Sequence, residues 1–188
     1  MTNSKKIILV GNGTCITDKK NGELVESFDT VVRFNNYAIE GFEDYVGKRT
    51  DVWVTRICDT IRHRDREEFG EIIGVMNYCK WTQAIKAVVP KWVAKYPDIK
   101  LIKPEVVKTY AELPDFVYNP MMNWLSVGLI TIKTFLDLGY DQLHLLGFGG
   151  DPDNHYHNIK PQGQEHHRFD LEANHIKKLE EEGKVVRI

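Results

Sequence analysis

Residues 6–14 read Lys6-Ile7-Ile8-Leu9-Val10-Gly11-Asn12-Gly13-Thr14. A short apolar run, rich in residues that favour extended backbone and closed by glycine, predicts a buried strand. Residues 30–34 (TVVRF) and 51–54 (DVWV) repeat the pattern, and residues 143–146 (LHLL) end on Gly147 in the same way. Residues 71–76 and 99–102 are weaker strand candidates. Helical stretches lie between and after these runs. Residues 65–69 form a short one, and 81–96 a longer one that Pro90 is expected to kink or split. Residues 124–138 give the clearest pattern, with Leu125, Leu129, Ile132 and Leu136 on one face. A last helix over 170–182 places Ala173, Ile176 and Leu179 together. Strands alternating with helices predict an α/β fold with a mostly parallel sheet flanked by helices. Ligands in such sheets bind beyond the carboxyl ends of the strands. Residues 11–14, 35–36 and 147–151 should therefore hold the chemistry.

Composition narrows the function. The chain has 188 residues, with no repeat, low-complexity tract or linker, so one domain over 1–188 is expected. Lys plus Arg is 25 and Asp plus Glu is 27, a balance of −2 that lacks the basic excess of a nucleic-acid binder. No apolar run approaches the ~20 residues of a bilayer span, and the first residues do not form a signal peptide. Three widely spaced cysteines without CxxC suggest no disulfide scaffold, so a cytoplasmic location is expected.

Several residues in the predicted ligand segments could act chemically. Gly11-Asn12-Gly13 is either a plain turn or a loop that lets the backbone approach a ligand. It is not the dinucleotide fingerprint, since the third glycine is missing. Asn35, just past a strand, is a turn former or a polar contact beside that loop. Ser126-Val127-Gly128 opens the strongest helix, so Ser126 is an N-cap or part of an anion site at the helix mouth. Five of the seven histidines fall in 155–175: His155, His157, His166, His167 and His175. The His-rich stretch 151–167 is a solvated loop, a catalytic segment, or a metal site built from His155, His157 and Asp151 or Asp153. His167 stands just before the last helix, and Glu172 falls in its first turn, where an acid suits the dipole.

Together these residues resemble glycosyltransferase family 29, the sialyltransferase family. The large motif resembles Val10-Gly11-Asn12-Gly13, then residues 28–35 (FDTVVRFN) and 41–50 (GFEDYVGKRT). The small motif looks like Ser126-Val127-Gly128 with Leu143-His144-Leu145-Leu146-Gly147-Phe148. The third resembles His155-Tyr156-His157-Asn158, and the very small motif, His-x4-Glu, matches His167 and Glu172. All four occur in family order. The resemblance implies a Rossmann-like, GT-A-like fold and a metal-independent, inverting transfer, without cofactor, from a CMP-sugar donor to a glycan or glycolipid acceptor. Sialic acid or a related 2-ulosonic acid such as Kdo would be the sugar. The resemblance places Asn12, Gly13 and Asn35 on the CMP moiety, and Ser126, Val127 and Gly128 at the nucleotide site. It puts Phe148 beside the cytidine, His155 at the departing phosphate, and His167 as general base. Val127 stands where the family usually has a hydroxyl residue, and residues 51–120 are short for the family. Two other functions stay open: a metal-dependent hydrolase using the His-rich loop, and a non-catalytic CMP-binding module.

Overall fold

The computed structural model describes residues 5–76, 82–111, 125–150, 154–157 and 167–188. Its strands are β1 (Ile7–Val10), β2 (Thr30–Phe34), β3 (Val52–Arg56), β4 (Glu71–Val75), β5 (Lys100–Ile102), β6 (Leu143–Leu146) and β7 (Val185–Arg187). They form one sheet in the order β5-β4-β3-β2-β1-β6-β7, and every pair is parallel. This is the α/β, Rossmann-like, parallel architecture expected from the alternation of strands and helices. All of β1 is buried, which explains its uninterrupted apolar run: helices cover both faces of a parallel sheet.

The helices are α1 (Gly22–Glu26), α2 (Glu43–Val46), α3 (Thr82–Lys95), α4 (Pro104–Tyr110), α5 (Val127–Asp137) and α6 (Phe169–Glu181). One face of the sheet presents Ile7, Leu9 and Val32 to a cluster that includes Leu129 and Ile132 of α5 and Ile176 and Leu179 of α6. On the other face Ile8, Val10 and Val31 pack with Val25, Val46 and Tyr156. Farther along it, Trp53 and Ile72 meet Trp92 of α3 and Tyr96 just past its end.

Four expectations about elements need correction. The chain does not split at Pro90, because α3 is one helix through that residue. Pro90 is exposed, while Val88, Trp92 and Tyr96 are buried at i, i+4 and i+8, so packing offsets the lost hydrogen bond. Residues 65–69 make only a 3₁₀ turn, Arg66–Glu68, closed by reciprocal Asp65 and Glu68 bonds. α5 starts at Val127, with Ser126 as its cap, so Leu125 is buried ahead of the helix rather than within it. In α6, Ala173 is exposed, and the inward row is Glu172, Ile176 and Leu179. Four of these helices and strands had no sequence expectation: α1, α2 and α4 are short, and β7 is seen only through its pairing with β6. Trp81 and Trp124, placed in helices above, lie outside the described residues.

From β1 the chain builds the sheet outward in one direction through β5, then returns to lay β6 on the other side of β1. Strand order therefore reverses between β1 and β6, and the crevice at their carboxyl ends is where such folds bind ligands.

Candidate functional site

A cleft of about 650 Å³ opens at those carboxyl ends. Asn12, Gly13, Asn35, Ser126, Val127, Gly128, Phe148, His155 and His167 all line it. Residues spread from 12 to 167 are thus brought together by the topology. Their number includes every residue assigned to the donor site or to catalysis above.

The loops after β1 and β6 interlock. Gly11 N donates to the Leu146 carbonyl at 2.7 Å and Gly13 N to the Gly147 carbonyl at 2.9 Å. A Cβ on Gly13 would lie 2.0 Å from the Gly149 carbonyl oxygen, so only glycine fits there. The two asparagines are held in opposite senses. Asn12 Nδ2 donates to the Phe34 carbonyl at 3.1 Å. Its Oδ1 is left as a buried acceptor without a partner among the described residues. Asn35 has φ 48°, a left-handed conformation that Asn tolerates better than most residues. Its Oδ1 accepts from Arg56 N at 2.9 Å, and its carbonyl accepts from Trp53 Nε1 at 2.9 Å. What Asn35 has left to offer a ligand is the pair of Nδ2 donors. It is therefore both a turn former and an oriented polar group.

Ser126 caps α5 by accepting from Leu129 N at 3.1 Å. The first-turn amides of a helix have no intrahelical partner, and Val127 and Gly128 carry two of them at the cleft wall. Ser126 is held from behind by Glu172 of α6. Ser126 N donates to Oε1 at 2.6 Å, and Ser126 Oγ donates to Oε2 at 2.5 Å. Glu172 is 3% exposed, and burial pushes its pKa up to about 7 against the opposing pull of those two bonds. Its part is thus to join α6 to α5, beyond the dipole role that its place in the sequence suggests. Phe148 meets Phe34 edge-to-face at 5.8 Å. A Cβ on Gly128 would come within 2.9 Å of the Phe148 ring, so the glycine seats that ring against the start of α5.

His155 forms an isolated antiparallel bridge with Gly13, and Tyr156 N donates to the Asn12 carbonyl at 3.2 Å. The Tyr156 hydroxyl both accepts from and donates to the backbone of Ala38. The segment carrying His155 is thereby pinned to the β1 loop. The His157 ring stands 5.1 Å from that of His155. Burial first, and His155 second, lower the His157 pKa to about 4, so it is neutral near pH 7. His167 lines the cleft two residues before α6 begins, its ring 5.1 Å from that of Phe169.

Among the described residues no group of three or more His, Cys, Asp or Glu could hold a metal ion. Asp151 and Asp153 of the alternative metal set, together with Asn158 and His166, lie outside the described residues. Sequence reasoning missed Arg56, Thr60 and Arg187, which also line the cleft. The strand expected at 51–54 runs on to Arg56, so the cation that ends β3 was not placed at a strand end.

A parallel α/β sheet with a cleft at its switch point, walled by a helix N-terminus, is the arrangement of the nucleotide-binding α/β folds. Sequence comparison identifies the branch. The profile of glycosyltransferase family 29 (sialyltransferase) matches residues 2–184, and the chain belongs to that family. A rat CMP-N-acetylneuraminate-beta-1,4-galactoside alpha-2,3-sialyltransferase is 25% identical over 171 residues, covering 78% of this chain and 45% of the relative. A mouse lactosylceramide alpha-2,3-sialyltransferase is 24% identical, covering 96% of this chain and 52% of the relative. The chain therefore spans about half the length of these relatives. The fold is similar to the crystal structure of a mammalian sialyltransferase in complex with Gal-beta-1-3GalNAc-ortho-nitrophenol. The TM-score is 0.73 at 22% identity, covering 98% of this chain and 69% of that one. No helix among the described residues is long and apolar enough to cross a membrane.

Proposed function

We propose that this chain transfers sialic acid, or a related 2-ulosonic acid such as Kdo, from a CMP-sugar to a hydroxyl of a glycan or glycolipid. The observation that supports it most is the gathering of both histidines, both asparagines and the mouth of α5 in one cleft. Family membership supplies the donor class.

In this reading the phosphate lies against the Val127 and Gly128 amides and Asn35 Nδ2, all of them donors. The buried Asn12 Oδ1 takes a hydroxyl or amino hydrogen of the nucleoside. Phe148 offers its ring to the base. His167 removes the proton of the acceptor hydroxyl as that oxygen attacks the anomeric carbon from the face opposite the phosphate. The bond from that carbon to the phosphate oxygen breaks, and CMP departs with the electron pair. The transition state is oxocarbenium-like. His155 and the helix amides stabilise the charge that grows on the phosphate. Phosphate is a good leaving group, so this scheme needs neither a metal nor another cofactor, and the configuration inverts.

A donor screen tests the reading. The protein is incubated with CMP-sialic acid, CMP-Kdo and a set of UDP- and GDP-sugars, and free nucleotide is measured. Release of CMP from a CMP-sugar, accelerated by an oligosaccharide acceptor, is the expected result. Preference for a UDP-sugar overturns it. CMP binding with no turnover of any donor would instead support the binding-module alternative.

A further inference from the structure

We propose that Arg56 receives the carboxylate of the donor sugar and so selects 2-ulosonic acids, an inference that rests on the donor class proposed above. Arg56 ends β3 and lines the cleft. Its backbone N–H donates to Asn35 Oδ1 at 2.9 Å, which keeps it beside the amide whose donors are aimed at the phosphate. In a CMP-activated 2-ulosonic acid, one carbon bears both the carboxylate and the oxygen bound to phosphorus. The two anionic groups are neighbours, so the groups that receive them must also be neighbours.

The guanidinium is poorly satisfied by the protein itself. Nε lies 3.3 Å from Cys58 Sγ, a weak acceptor, and Nη2 lies 3.4 Å from Thr60 Oγ1, a long contact; both acceptors are neutral. No carboxylate pairs with Arg56 among the described residues. The other arginine of the cleft, Arg187, has its Nε 3.2 Å from Glu180 Oε2. Nearby Arg64 and Arg66 pair with Glu68 and Asp98 at 2.6 and 2.7 Å. Arg33 and Arg62 also lack a carboxylate partner among the described residues, and of these three arginines Arg56 is the one that lines the cleft. A guanidinium fork matches a planar carboxylate in bidentate fashion, with Cys58 and Thr60 holding its other edge.

Arg56→Gln and Arg56→Lys test this. Both keep the backbone N–H that orients Asn35, and CMP binding reports that the cleft is intact. The probes are CMP and CMP-3-fluorosialic acid, whose fluorine slows loss of CMP. For Arg56→Gln, CMP affinity should stay within about twofold, while CMP-3-fluorosialic acid weakens about 10- to 100-fold. Arg56→Lys keeps the charge without the fork, and should fall between the wild type and Arg56→Gln. Equal weakening of both probes would assign Arg56 to the phosphate and overturn the proposal. Unchanged donor binding with a raised KM for the acceptor would assign it to an anionic acceptor, and also overturn it. If the wild type holds CMP-3-fluorosialic acid no better than UDP-sugars, the donor class itself falls, a result distinct from a defect confined to the variants.

Discussion

Glu172→Gln should make the protein more stable above neutral pH, against the usual expectation for a buried, twice hydrogen-bonded side chain. Glu172 is 3% exposed, and Ser126 N–H and Oγ–H are what it has in place of water. Burial lifts its pKa from 4.5 to about 7. Between those values the folded chain keeps a proton that the unfolded chain has released. The folded state therefore binds more protons, and stability falls as pH rises through this window. A shift from 4.5 to about 7 is roughly 2.5 units, or about 3 kcal/mol as an order of magnitude. Glutamine loses no proton, and its Oε1 can accept from Ser126 N while its Nε2 donates to Ser126 Oγ. The stability difference between variant and wild type should therefore move by about 3 kcal/mol in favour of Gln from about pH 4 to about pH 8. His157 works in the opposite direction. Its folded pKa, lowered to about 4, adds stability that is lost as pH falls from 6.5 towards 4, so in the wild-type curve it offsets the slope from Glu172. Subtracting the two proteins cancels that contribution. Urea unfolding at several pH values across this range measures the difference. A difference that stays constant over the range would refute the argument that desolvation outweighs the two Ser126 bonds.

The other predictions concern the cleft. His167→Ala should lower kcat by ~10²–10⁴-fold with CMP affinity nearly unchanged, whereas His155→Ala should also slow donor hydrolysis without acceptor; single-turnover assays separate the two. Asn35→Ala should weaken CMP but not cytidine, because the proposed mechanism sets its donors on the phosphate, and Asn12→Ala should weaken both; calorimetric titration reads the contrast. Gly13→Ala forces a Cβ to 2.0 Å from a backbone oxygen, so thermal unfolding should show a loss of at least about 1–3 kcal/mol together with loss of CMP binding. EDTA should leave transfer unchanged, and loss of activity restored by zinc would favour the metal-dependent alternative.

Much of the sheet was legible because burial on both faces leaves a visible trace. β1 and β6 are apolar runs that stop at glycines, and β2 is a β-branched run that stops at an asparagine. Each stop falls where the chain turns away from the sheet. β7 left no such trace: three residues at the rim, two of them exposed, carry no periodicity, and its register with β6 defines it. The start of α5 was legible through Ser126, since a cap is a local interaction. Glu172 was visible only in part. Its place in the first turn of α6 suggested a dipole contact within its own helix. Its actual partner is 46 residues away on another helix, and no local pattern encodes that distance.

The asparagines show why a site can be located from sequence while its chemistry stays hidden. Asn12 and Asn35 follow adjacent strands, and an amide offers donor and acceptor alike, so residue type does not say which end meets a ligand. The backbone settles it. The Phe34 carbonyl engages the amide nitrogen of Asn12, and the Arg56 N–H engages the amide oxygen of Asn35, so opposite ends of the two amides are left for the cleft. Each partner sits at the end of a neighbouring strand, so the parallel register of β2 and β3 sets the polarity of the cleft wall. The register delivers Arg56 to the same place, because the residue that locks Asn35 through its backbone also brings a guanidinium into the cleft. A one-residue slip of β3 would lose the orientation of the Asn35 amide and the placement of Arg56 together. Donor recognition, as proposed here, is therefore a property of strand pairing as much as of the residues at the strand ends.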